Sequence, residues 1–90
     1  MIERRIDIVN RLGLHARAAA KLVHLAGGFS CGVLLVTEDG EVIDAKSILG
    51  ILLLAAGQGT CLTLRCDGPD ESEAAAAVLA LFADRFGEGE

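Results

Sequence analysis

The chain has 90 residues, 52% of them hydrophobic with three Phe and no Trp or Tyr, and a formal net charge of −5. That suffices for one small domain, residues 1–90, with an aliphatic, alanine-rich core, and leaves no room for a separate cofactor-binding domain. The negative balance and the lack of an aromatic stacking platform argue against nucleic acid, and the longest apolar run, Ile48 to Ala56, is too short to cross a bilayer and is interrupted by Gly50.

In Ile2 to Val9, Ile2, Ile6 and Ile8 share one parity and Arg5 and Asp7 the other, which predicts a half-buried strand. Met1-Ile2-Glu3-Arg4-Arg5 lacks the hydrophobic segment and cleavage site of a secretory signal, so a cytoplasmic location is expected. The turn Leu12-Gly13-Leu14-His15-Ala16-Arg17 follows. From Ala16 to Ala26 every residue but Arg17, Lys21 and His24 is apolar, and Gly27-Gly28 supplies a stop, so a helix starts at His15 or Ala16.

The first turn of a helix carries N–H groups without intrahelical partners and the positive end of the macrodipole, which together favour phosphate groups. A neutral imidazole there is a nucleophile. A phosphoryl group transferred to His15 could be met by the amides of Ala16 and Arg17, and the planar fork of Arg17 matches phosphate oxygens. Read on its local pattern alone, His15 is more readily a helix-capping histidine beside a solvated arginine. Arg17, Lys21 and His24 form a positive stripe along the helix, which is either a solvated face or a complement to an acidic partner.

Gly32 to Thr37, the turn Glu38-Asp39-Gly40 and Glu41 to Ala45 read as a hairpin. Ser47 is placed as the N-cap of a short helix whose residues Ile48, Leu49, Ile51, Leu52, Leu53 and Leu54 are apolar on nearly every side. About half belong in the core; the others should form an exposed patch, the usual mark of a partner surface. Gly57-Gln58-Gly59 is a turn, and Thr60 to Cys66 alternates as a strand with Leu62, Leu64 and Cys66 inward. Asp70, as N-cap with Glu73 in a capping box, opens the last helix, whose buried face is Ala74, Ala77, Val78, Leu81 and Phe82; Arg85 suits its end, and Gly87-Glu88-Gly89-Glu90 reads as a frayed tail. Three cysteines without a CxxC pair suggest neither zinc nor a redox motif, with Cys66 in the core, Cys61 on the other face and Cys31 an exposed thiol in a turn. No metal and no cofactor is called for.

The order strand-helix-strand-strand-helix-strand-helix is that of an α+β open-faced sandwich. Asn10 to Ala19, Gly28-Phe29, Ala45-Lys46-Ser47-Ile48, Gly57-Gln58-Gly59-Thr60 and the acidic, then alanine-rich last helix together resemble the HPr family, the histidine-containing phosphocarriers of the bacterial phosphotransferase system. The resemblance covers nearly the whole chain. It implies a four-stranded antiparallel sheet with three helices on one face, and His15 as the carrier that takes a phosphoryl group at Nδ1 from enzyme I and gives it to enzyme IIA-type proteins. The residues themselves do not choose between the ring nitrogens.

The resemblance also implies a partner surface that combines the His15 turn with Ser47, Ile48 and Leu49. In some relatives the serine matching Ser47 is a target of an HPr kinase/phosphorylase, although an N-cap role explains it equally. Ala18 stands where the family motif has proline, which loosens the restraint on the His15 turn. A monomer that does not enter membranes is expected.

Two alternatives stay open. One is a regulatory HPr-like module, of the nitrogen branch or controlled through Ser47. The other is an autonomous histidine-nucleophile hydrolase or transferase, against which stands the lack of an evident pocket and of a nearby Asp or Glu to orient His15.

Overall fold

A computed structural model of the chain describes residues 1–89. The strands β1 (Ile2–Asp7), β2 (Gly32–Val36), β3 (Val42–Asp44) and β4 (Cys61–Asp67) and the helices α1 (Ala16–Gly27), α2 (Ile48–Leu54) and α3 (Glu71–Ala83) stand in the order β1-α1-β2-β3-α2-β4-α3. The sheet is ordered β1-β4-β2-β3 and every neighbouring pair is antiparallel, so β1 and β2 run parallel with β4 between them. Alternation decides which face is buried. The paired residues Ile6 and Leu62, Leu35 and Leu64, and Val33 and Cys66 all point inward. Against them lie Ala18, Ala19, Leu22 and Ala26 of α1, Ile51 of α2, and Ala74, Ala75, Val78 and Phe82 of α3. The expected α+β open-faced sandwich is the fold observed. Among the described residues no helix is long and apolar enough to cross a membrane.

Four expectations are corrected. Cys31 is buried in the core, where burial and then a hydrogen bond with Asp70 push its thiol up to about 11. The reason lies with Asp70. It stands at the N-cap of α3 but makes no side-chain cap bond, and its carboxylate instead accepts the amides of Ser30 and Cys31, both at 2.8 Å. The capping box with Glu73 does not form; Glu71 takes the Gly68 amide at 3.2 Å. The buried face of α3 is also rotated by about one residue, with Ala75 inside and Ala77 and Leu81 only half-buried.

The last correction bears on the site. The tail, expected to fray from Gly87, is held in place as far as Glu88, and Glu90 lies outside the described residues. After α3, Arg85–Gly87 forms a 3-10 turn in which Arg85, Phe86 and Gly87 all adopt left-handed backbone, with φ of 56°, 55° and 74°. Phe86 is fully buried, its ring set edge-on to Phe82 with centroids 4.9 Å apart. Lys21 Nζ donates to the Phe86 carbonyl and holds the turn against α1.

Candidate functional site

His15 is the N-cap of α1, with extended backbone (φ −72°, ψ 178°), and its carbonyl accepts the first helical bond from the Ala19 amide at 2.8 Å. Its side chain makes no cap bond, so the imidazole is available for other work. Ala16, Arg17 and Ala18 are the first helical residues, and their N–H groups have no intrahelical acceptor. Ala18 is itself buried, and unlike a proline it retains an amide hydrogen in that turn.

The loop that carries His15 is tied down from two sides. The Leu14 amide donates to the Ala56 carbonyl at 2.9 Å, and Gly13 lies so close beneath that a Cβ would stand 2.5 Å from the same oxygen and 2.7 Å from Gly57 Cα. Gly13 is also left-handed, at φ 65°, so glycine is required there on two independent grounds. From the other side, the fully buried Asn10 donates through Nδ2 to the Gly13 carbonyl at 2.8 Å.

The same Asn10 nitrogen donates to Glu88 Oε1 at 3.0 Å, and Glu88 Oε2 contacts His15 Nε2. Hydrogen bonds from His15 first, then Asn10, hold the Glu88 carboxyl below the usual carboxylate range. The histidine therefore has a carboxylate beside it, contrary to expectation. Glu88 and Asn10 were not singled out from the sequence as site residues. Only the asparagine within the His15 motif gave a signal, and a glutamate between two glycines gave none.

His15, Ala16 and Arg17 come together on the wall of an open cleft of about 660 Å³, completed by Arg11, Leu12, Lys21, Gly87 and Glu88. Among the described residues, Arg11, Arg17, Lys21 and the Glu88 carboxylate line it, a lining that can hold a dianionic phosphoryl group. Arg17 is exposed and makes no ion pair with a described residue; Lys21, expected only as part of a positive stripe, lines the cleft, while His24 lies exposed farther along α1.

Ser47, Ile48 and Leu49 do not line this cleft. Ser47 is the N-cap of α2, its Oγ accepting the Gly50 amide at 3.1 Å. Of the apolar residues of α2, only Ile51 is buried and Leu54 half-buried, while Leu49 and Leu53, one turn apart, are 63% and 75% exposed. The patch is thus larger than the half-share expected, and Leu52 and Leu53 belong to it beside Ile48 and Leu49.

Residues 2–84 match the family model described as PTS HPr component phosphorylation site. Over 90 residues the chain is 57% identical to Phosphocarrier protein HPr of Cupriavidus necator, with the whole of both chains covered. It is 40% identical over 87 residues to Phosphocarrier protein NPr of Escherichia coli, covering 97% of each chain. Among solved structures, HPr-C-His from Thermoanaerobacter tengcongensis has a TM-score of 0.93 at 41% identity, covering 98% of each chain.

Proposed function

The chain belongs to the HPr family of phosphotransferase-system phosphocarriers, and on that premise we propose that His15 relays a phosphoryl group from phosphorylated enzyme I to enzyme IIA-type acceptors in the cytoplasm. The observation that carries the reading is the placement of the imidazole at the open amide end of α1, in a cleft it shares with Arg17. A ring nitrogen of His15 attacks phosphorus, the bond from phosphorus to the donor breaks, and its electron pair leaves with the donor. The Ala16 and Arg17 amides and the Arg17 guanidinium stabilise the oxygens during transit. No cofactor is needed, and the protein is a substrate of two partners rather than a catalyst with its own turnover.

Intact mass after incubation with phosphoenolpyruvate and a purified enzyme I tests this. One acid-labile phosphoryl adduct is expected, absent in His15→Ala, with Arg17→Ala slowing acceptance by about 10²-fold. No adduct from an enzyme I active on another HPr overturns the reading. Steady turnover of a small phosphoester by the isolated protein, lost in His15→Ala, would favour a hydrolase instead.

The partner surface in this reading joins the cleft to the exposed face of α2, around Ile48 and Leu49. Leu49→Glu should leave the unfolding free energy within about 0.5 kcal/mol of wild type and weaken transfer in both directions. The breadth of that face and the likeness to NPr also support a second reading, a regulatory module of the nitrogen branch in which Ser47 is open to phosphorylation. A phosphoserine there suits a helix N-terminus but places negative charge within the partner surface. Drainage of phosphate from His15 by sugar-linked enzyme IIA proteins, compared with nitrogen-branch ones, separates the two.

A further inference from the structure

Resting on the phosphocarrier reading, we propose that Glu88 is the positioning residue of His15: its carboxylate holds Nε2 and thereby leaves Nδ1 as the ring nitrogen that meets the phosphoryl group. Both oxygens of Glu88 are engaged, Oε2 by His15 Nε2 and Oε1 by Asn10 Nδ2 at 3.0 Å. The orientation of Asn10 is forced by its surroundings. Its two amide hydrogens face two acceptors, the Gly13 carbonyl and the carboxylate; turned over, Oδ1 would face both instead. The amide keeps this orientation although Oδ1 is buried without a partner. Asn10 thus ties the loop before His15 and the glutamate after α3 into one bridge.

The chain is built to return Glu88 to this point. Three successive left-handed residues reverse it after α3, the buried Phe86 anchors the reversal, and Lys21 holds the Phe86 carbonyl. As Nδ1 forms its bond to phosphorus, the ring becomes positive and Nε2–H carries part of that charge. The proton stays on Nε2, shared with Glu88, while the electron pair of the broken bond leaves with the donor. A carboxylate on the far nitrogen both selects the tautomer and stabilises the cation. Arg17 and Lys21 line the same cleft and supply positive charge beside Glu88.

The test begins on the full-length wild-type chain by ¹⁵N NMR of the His15 ring at about pH 9, where imidazole is neutral. An Nε2–H tautomer is expected; an Nδ1–H tautomer overturns the proposal without any variant. Glu88→Ala should mix the tautomers and slow phosphoryl acceptance by about 10-fold. Glu88→Gln should be worse than alanine, by on the order of 10²-fold, because an amide whose oxygen accepts from Asn10 turns its NH₂ toward Nε2 and drives the proton to Nδ1. A merely structural role predicts the reverse order, since glutamine is isosteric, and that order or unchanged spectra would overturn the proposal. A wild-type chain that takes no phosphoryl group overturns the carrier reading; the ring spectrum, which needs no enzyme I, still decides the Glu88 contact.

Discussion

Gly13 and Asn10 fix His15 more than the histidine's own neighbours in α1 do. Gly13 meets the Ala56 carbonyl with no room for a methyl and sits at φ 65°, so Gly13→Ala combines left-handed strain with a clash against backbone that cannot rotate away. It should destabilise the fold by at least about 2 kcal/mol in urea unfolding, and release the Leu14–Ala56 hydrogen bond that pins the loop. A glycine before the histidine was visible in the sequence, and so was its licence for a special turn. The close approach of the loop after α2 was not, because Gly13 and Ala56 meet only once the chain has folded. Cys31 makes the same point in reverse. Its surroundings in sequence read as a turn, yet the carboxylate of Asp70 draws the Ser30 and Cys31 amides under the start of α3 and the thiol into the core.

Among the elements, α1 was legible because its polar residues interrupt an apolar run at helical spacing and two glycines end it. The orientation of α3 was not: its stretch from Ala74 to Ala83 is apolar at every position, so no periodicity selects Ala75 over Ala77 as the buried residue. Packing against the sheet makes that choice. The 3-10 turn after α3 behaves as a separate anchor. Phe86→Ala removes a fully buried ring from its edge-on contact with Phe82 and should cost about 3–5 kcal/mol in urea unfolding, a large fraction of a small domain's stability. Because Phe86 holds the reversal that carries Glu88, the same variant should also slow phosphoryl acceptance at temperatures where it is still folded.

For the molecule as a whole, acid is the informative stress. The Asp70 carboxyl is held low by the Ser30 and Cys31 amides, and that of Glu71 by the chain's N-terminal ammonium and the Gly68 amide. Values depressed in the folded state mean that the unfolded chain binds protons first. The contribution of these groups is therefore complete above their ordinary range near pH 4 and is lost as pH falls through the folded values. Urea midpoints should hold between about pH 7 and pH 5 and then decline; Asp70→Asn should start lower and decline less. An equal decline in both would sink the assignment to Asp70. By itself the sequence determined the order of elements, the strand faces and the seat of His15 at the head of a helix, since each is decided by periodicity and stop signals within a dozen or so residues. Only the tertiary structure decided what faces the histidine. Glu88 is 73 positions away, and it reaches His15 because burial of Phe86 and the left-handed reversal around it turn the chain back, a consequence of packing that no local pattern encodes.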